Sequence, residues 1–467
     1  MKPRTPFLRR LLNAILRRRH TPPPNPRQRV SSARVRSGIE PLEGRVAPAS
    51  LVNATTVSFN DVDGDVVTVT FSKALFDVTK TPAQNHLDDI FKFVDDQATP
   101  AASLFASTGP QQLQLIDLTK VPTVLVGTTP TSPAAGTDIT VSAVKGAGNV
   151  GDDLTNLGAI KATGLPVGIV TIDGDLGQID AGVAASKTGI QALNVQTLGK
   201  FGAATQLSTT GVTDALESKV TGKIKIITVA GDLSGYIHTV DGTGIVNGQI
   251  VTSAPAKIGV VTVNGSLRGG ALDNSGTIES AGTIGMVSVL GTSTTAPAGL
   301  IGGVGKTSGS IVAGKNILGV TVSGALNGGG GLNSGAILAK GGDLSALTIV
   351  GGLKGGAGAG SGNVQVTGAL PLFTITGGLT GGGGANSGSI QVTGAVAAAT
   401  IGGGLTGGAG DSSGVLSSLS TMGAIIVNGD LTGVGPHSGG ILAGDALTSV
   451  VVNGKITGGD GDRKSVV

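Results

Sequence analysis

Three carboxylates stand on a short glycine turn near the start of the chain. Asp61, Asp63 and Asp65 alternate with one valine and one glycine in the run 61–65. Ca²⁺ prefers oxygen ligands, so such a turn could hold this ion. The run departs from an EF-hand loop, because its glycine is fourth rather than sixth and Ser72 stands in the twelfth position instead of glutamate. These three residues are a candidate metal site, and a plain solvated turn is the favoured alternative.

The other residue types that carry chemistry give weaker signals. The four histidines, His20, His86, His238 and His437, lie far apart and share no metal-ligand spacing. The chain has no cysteine, which excludes disulfides, thiolate metal sites and a cysteine nucleophile. Glycine accounts for 82 of 467 residues, so matches to G-x-G-x-x-G arise by composition and say nothing about nucleotides.

The element that must position any site is a repeat. Thr321, Thr348, Thr374 and Thr400 open copies of one pattern at spacings of 27, 26 and 26 residues, and Ile426 continues it. A fixed period in this range is typical of stacked-repeat proteins. Each copy holds short apolar runs between glycine-dense corners and lacks the length of a helix. The sequence therefore predicts an all-β fold, a right-handed parallel β-helix with about 26 residues per rung.

One corner of the repeat carries asparagine. Asn274, Asn333 and Asn386 each begin an Asn-Ser-Gly triplet, and His437 takes the place of asparagine in a later copy. Asparagine tolerates the left-handed backbone conformation that such a corner needs. We expect these four residues to form a structural ladder of corners, with the asparagine side chains hydrogen-bonded to their copies. A ligand-binding role is the less favoured alternative.

Two kinds of functional β-helix serve as alternatives. Calcium-binding β-rolls repeat G-G-x-G-x-D every nine residues, but here asparagine replaces the aspartate, as at Gly328–Asn333, and the period is about 26. Polysaccharide lyases with this fold group Asp with Lys or Arg on one face. Acidic residues are sparse in the regular repeats. Residues 224–461 contain a single arginine, Arg268, and two aromatic residues. We predict no catalytic residues; the enzyme alternative would depend on Asp173, Asp175 and Asp180.

Charge is distributed unevenly along the chain. Residues 1–46 hold twelve Lys and Arg against Glu40 and Glu43, whereas the other 421 residues hold 20 basic and 27 acidic side chains. The repeats thus lack the basic stripe and the aromatic stacking residues that nucleic-acid binding requires. No run of 18 apolar residues occurs, so no transmembrane helix is predicted.

The basic segment ends in a motif. The run Ile39–Ala49 reads Ile-Glu-Pro-Leu-Glu-Gly-Arg-Val-Ala-Pro-Ala after an arginine-rich stretch. It resembles the LEPR-type N-terminal leader of large surface and secreted repeat proteins of planctomycete bacteria. The glycine-rich strands, such as Asp173–Gly182, are similar to the repeats of the same proteins. The resemblance implies export to the cell surface or beyond, with processing near Ala47 and Ala49. A basic tail that binds anionic surfaces is the alternative.

Four regions are expected along the chain. Residues 1–50 form a largely disordered leader and residues 51–150 a β-rich cap, with a hairpin around the acidic turn and a short helix at His86–Asp96. Residues 151–461 form the repeats, with longer surface loops around Tyr236–Ile245 and Thr292–Gly299. Residues 462–467 resemble a translated sequencing adapter, a non-native tail, and we expect the natural protein to continue.

These features predict a non-enzymatic, exported β-solenoid with a structural or adhesive role at a bacterial surface or matrix. Its partners would be components of the envelope or matrix, with no nucleic acid among them. No cofactor is expected, although Ca²⁺ could bind. The alternatives are a carbohydrate-active enzyme similar to polysaccharide lyases, and an adhesin stabilised by calcium.

Overall fold

The computed structural model describes residues 49–95, 111–184, 188–201, 216–246, 249–292 and 298–458. The predicted leader up to residue 48, with Ala47, and the predicted tail at 462–467 lie outside the described residues. The described residues all belong to one compact unit.

The repeats build a parallel β-helix with three strand faces. Strands in one face pair in parallel with their copies one rung away. Face 1 contains Val167–Gly182, Thr188–Leu198, Lys223–Val229, Lys257–Val263, Thr283–Val289, Ile317–Val322, Ala346–Ile349, Leu372–Ile375, Val396–Ile401, Met422–Val427 and Leu447–Val452. Face 2 contains Leu157–Thr163, the second half of Val167–Gly182, Glu217–Thr221, Tyr236–Val240, Thr277–Ser280, Ile311–Ala313, Ile337–Ala339, Val364–Val366, Ile390–Val392, Leu416–Ser418 and Ile441–Ala443. Face 3 contains Leu267–Arg268, Gly299–Ile301, Ala325–Asn327, Leu353–Lys354, Leu379–Thr380, Leu405–Thr406, Leu431–Thr432 and Ile456–Thr457.

The register follows the period read from the sequence. Thr321 pairs with Thr348, Thr348 with Thr374, and Thr374 with Thr400, so equivalent residues of successive rungs lie directly over one another. Thr400 pairs in turn with Ile426. The predicted parallel β-helix with about 26 residues per rung is confirmed.

The core is a set of apolar columns between the faces. On face 1, Val320, Leu347, Phe373, Ala399 and Ile425 stack in register, and all five are buried. Face 3 adds a column of leucines from Leu300 through Leu405. Because strand side chains alternate in direction, every second residue of a face 1 strand such as Ala346–Ile349 enters this core and its neighbours point to solvent. On face 2 the outward residues Val312 and Leu338 are buried as well, in a small separate cluster with Ala336.

The cap extends the faces of the solenoid. An antiparallel sheet of Ser50–Asn53, Thr56–Asn60, Val66–Phe71 and Ile139–Val144 leads into face 1, where Ile139–Val144 pairs in parallel with Val167–Gly182. Phe91–Asp95 pairs antiparallel with Gln111–Asp117, which pairs in parallel with Leu157–Thr163 on face 2. Parallel stacking therefore begins before residue 151, the boundary expected from sequence.

Three smaller features complete the cap. The helix expected at His86–Asp96 is wrong beyond Ile90. Only Leu87–Ile90 is helical, and Phe91 and Phe93 are both buried in a strand, with the half-buried Lys92 between them. A 3-10 turn occupies Leu118–Lys120, and Val124–Val126 pairs antiparallel with Thr129–Thr131. Five phenylalanines pack together in the cap, with the rings of Phe59 and Phe93 4.9 Å apart.

The expected surface loop at Tyr236–Ile245 is only partly a loop. Tyr236–Val240 is a strand of face 2, and the extra residues form an antiparallel hairpin of Gly242–Val246 and Gln249–Ala254. Most of the second expected loop, Thr292–Gly299, lies outside the described residues. In the part of the chain that the structure describes, no helix has the length and apolar character to cross a membrane.

Candidate functional site

The acidic turn lies between two antiparallel strands of the cap, Thr56–Asn60 and Val66–Phe71. One carboxylate oxygen from each of Asp61, Asp63 and Asp65 lies within 4.8 Å of the others. Asp63 is exposed, but Asp61 is only 5% exposed and Asp65 is fully buried, which differs from the solvated turn expected from sequence. Burial, then the neighbouring Asp63, raises the pKa of Asp61 from 3.8 to about 8.

The predicted corner ladder has its left-handed backbone. Asn274, Asn333, Asn386 and His437 have φ between 50° and 59°. The ladder between rungs is made by main-chain amides: the N–H of Asn333 donates to the carbonyl of Ala359 at 2.9 Å. The Asn386 side chain accepts a bond from Gln391 in its own rung, and His437 Nδ1 lies 3.1 Å from an Asp411 oxygen. All four residues thus have the backbone expected of a corner. The asparagines stand two rungs apart, with Thr307, Gly360 and Ser412 at the corners between and beyond them, so they do not bond to one another as expected from sequence.

The sequence reasoning missed the serine that follows each corner. Its hydroxyl is buried and accepts a hydrogen bond from an amide four or five residues earlier, at 2.7–3.0 Å. The residues that share this bond are Ser275, Ser308, Ser334, Ser361, Ser387, Ser413 and Ser438. In Ser387 the hydroxyl also donates to the Gly384 carbonyl at 2.6 Å. The recurrence of serine after the corner residue was the available signal.

A second cluster lies on the outer side of face 2 and was also missed. The register places Glu217 beside Tyr236 and His238 beside Glu279. We call this group the lateral cluster; it comprises Asp180, Glu217, Lys219, Tyr236, His238, Glu279 and Lys340. The rings of Tyr236 and His238 stack with centroids 4.7 Å apart and planes 10° apart. These residues come from rungs of irregular length, so sequence spacing gave no signal.

Hydrogen bonds connect the lateral cluster. The Tyr236 hydroxyl donates to Glu279 at 2.7 Å, and His238 Nε2 lies 2.7 Å from Glu217. Lys340 forms an ion pair with Glu279 at 3.7 Å. Burial, then the hydrogen bond to Glu279, raises the pKa of Tyr236, so its phenol stays protonated. Burial also raises the pKa of Asp180, although the backbone N–H of Lys219 opposes this shift.

The structure separates the acids that the enzyme alternative would need. Asp173 is exposed, at a corner within the strand Val167–Gly182. Asp175 is buried and accepts bonds from the Thr197 hydroxyl at 2.6 Å and the Lys200 amide at 3.0 Å, so it fixes a corner. Only Asp180 belongs to the lateral cluster. Of the two residues of the predicted processing region, Ala49 is buried and Ala47 lies outside the described residues.

Comparisons with protein families, with curated proteins and with solved structures find no match to this chain. The described residues offer three candidates: the acidic turn, the lateral cluster, and the outer side of face 1.

The outer side of face 1 is uncharged along two neighbouring rows. One row is Thr228, Thr262, Ser288, Thr321, Thr348, Thr374, Thr400 and Ile426, joined by successive register pairs. The row two residues earlier contains Val260, Met286 and Leu372, which are 47%, 46% and 57% exposed. Three successive rungs thus expose an apolar side chain at the same position, Ile226, Val260 and Met286, which is unusual on a surface that meets only water.

Proposed function

We propose that this chain is an exported, non-enzymatic β-solenoid with a structural or adhesive role at a bacterial cell surface or in an extracellular matrix. The observation that carries the proposal is the outer side of face 1, where uncharged and apolar rows continue from rung to rung in register. A stack of parallel ladders supports a mechanical role, because each rung is bonded to its neighbours along the length of the solenoid. The apolar row supports adhesion to envelope or matrix material.

Export is proposed from the resemblance of Ile39–Ala49 to the leader of planctomycete surface proteins. The test is labelling of intact source cells with a membrane-impermeant, lysine-reactive reagent, followed by fractionation. We expect the protein to be labelled before lysis and recovered with the envelope or the medium. Recovery in the cytosol, labelled only after lysis, would contradict the proposal.

The adhesive role has its own test. Purified protein is sedimented with isolated envelopes, and a Val260→Glu/Met286→Glu variant is compared with the wild type. Two charges on the apolar row should greatly reduce co-sedimentation, because charged groups resist burial in a contact. Leu419→Glu is the control, since Leu419 is exposed and lies outside the strands of face 1. Equal loss in the control would show that added charge alone prevents binding.

The lateral cluster favours a second candidate, a carbohydrate-active enzyme. A protonated phenol stacked on an imidazole and flanked by carboxylates can donate and accept protons beside a bound sugar. The test is incubation with acidic polysaccharides while the ultraviolet absorbance of unsaturated products is followed. Activity in the wild type that is lost in Tyr236→Phe and in His238→Ala would favour the enzyme over the structural role.

A further inference from the structure

The acidic turn concentrates negative charge without a basic partner. Asp61, Asp63 and Asp65 bring their carboxylates together, with oxygens within 4.8 Å. None of the ion pairs among the described residues involves any of the three. Like charges at this separation repel, and burial of two of them weakens the screening by water.

One buried oxygen of the turn has no partner. Asp65 Oδ2 accepts the backbone N–H of Asp152 at 3.1 Å, and Asp61 Oδ1 accepts the backbone N–H of Asp65 at 2.9 Å. Asp65 Oδ1 is buried and receives no hydrogen bond. A buried carboxylate oxygen without a hydrogen-bond donor costs free energy, and such oxygens are rare in native proteins. The missing partner therefore points to a positively charged ligand.

The surrounding loop is shaped to this oxygen. Gly151 has φ +105°, and a Cβ there would lie 1.7 Å from Asp65 Oδ1, so only glycine leaves room for the carboxylate. Gly146 likewise approaches the carbonyl of Gly64. The segment that covers the acidic turn thus comes from residues 146–152, more than 80 positions later in the chain.

We propose that Asp61, Asp63 and Asp65 bind one Ca²⁺, with water completing the coordination. Calcium takes oxygen ligands at about 2.3–2.6 Å, so two oxygens on one ion lie at most about 5 Å apart, which matches the observed grouping. Asp63 is exposed and gives the ion a path from solvent. The proposal does not depend on the proposed surface role.

The bound ion would fix the junction between the cap and the first rungs. Asp65 holds the Asp152 amide, and the segment continues into Leu157–Thr163 of face 2. Lys145 and Asp153 close the base of the same segment with an ion pair at 3.7 Å. Calcium should therefore slow hydrogen exchange in residues 145–153, while exchange in the central rungs stays unchanged.

The experiment titrates CaCl₂ into the full chain by calorimetry after treatment with a chelator, and repeats the thermal unfolding with and without the ion. We expect binding at one site and a higher Tm with calcium. Asp63→Asn should weaken the affinity at least about tenfold, since ligand charge sets calcium affinity. Its side chain is exposed, so the variant should fold. Asp65→Asn is the second variant, and Asp445→Asn, a distant exposed carboxylate, is the control.

Each outcome decides the proposal. No binding heat in the wild type, or equal calcium affinity in Asp63→Asn and Asp445→Asn, would overturn it. Equal affinity for MgCl₂ would overturn the assignment to calcium. In chelator, Asp63→Asn should be at least as stable as the wild type, because it removes a repelling charge. A variant less stable than the wild type in chelator would instead assign Asp63 a structural role without an ion.

Discussion

At the scale of single residues, the buried serine of each corner is the feature that the rungs share most strictly. Ser387→Ala leaves the Gly382 amide without its acceptor and removes one of the two donors to the Gly384 carbonyl, which keeps the backbone N–H of residue 387. We expect a loss of about 1–3 kcal/mol in the free energy of unfolding, measured by denaturant titration of the full chain. Ser323→Ala is the matched control, because Ser323 is exposed, and its effect should stay within about 0.5 kcal/mol. A loss of the same size in both variants would contradict the role assigned to the corner serine.

Asp61 makes stability depend on pH when no cation is present. Its pKa is about 8 in the folded chain and 3.8 when unperturbed, and the groups that face it are Asp63 and Asp65. The folded state therefore holds a proton that the unfolded state has released. In chelator, the contribution of Asp61 to stability is full below about pH 4 and is lost as the pH rises toward 8. Calorimetric Tm values across this range should fall less steeply in Asp61→Asn, and an identical slope would show that another group is responsible.

At the scale of elements, residues that enter the core alternate with residues on the surface along each strand of face 1. Phe373 is buried between Leu347 and Ala399, whereas its neighbour Leu372 is largely exposed. Phe373→Ala opens a cavity and should cost about 3–5 kcal/mol. Leu372→Ala, measured in the same unfolding experiment, should cost no more than about 0.5 kcal/mol. A larger loss in Leu372→Ala than in Phe373→Ala would mean that the strand is turned the other way.

The elements also show what could be predicted from sequence. The threonine period determined the stacking, because a strict repeat leaves one register in which apolar residues face inward. Positive φ at Asn333 was predictable from residue type. The burial of Asp65 was not, because the covering segment is 87 residues away in sequence. Tyr236 and Glu279 meet across rungs that an inserted hairpin separates in sequence. No regular spacing therefore predicted the lateral cluster.

At the scale of the whole molecule, protection should vary along the solenoid. Leu447–Val452 pairs with Met422–Val427, and its residues Val450 and Val451 are exposed. The central strand Leu372–Ile375 pairs on both sides and has Phe373 buried. Because each rung is stabilised mainly by its neighbours, amides of Leu447–Val452 should exchange faster than those of Leu372–Ile375. Hydrogen exchange followed by mass spectrometry on this chain measures the difference, and uniform protection would indicate all-or-none opening.

The corner of each rung offers the next rung the same amides and carbonyls, since the Gly388 amide bonds the Ser361 carbonyl just as the Gly414 amide bonds the Ser387 carbonyl. A tandem duplication or deletion of one 26-residue unit in the gene would therefore preserve the pattern of main-chain bonds between rungs. Selection could lengthen or shorten such a molecule by whole units without first repairing its interior, so its reach can evolve separately from its stability.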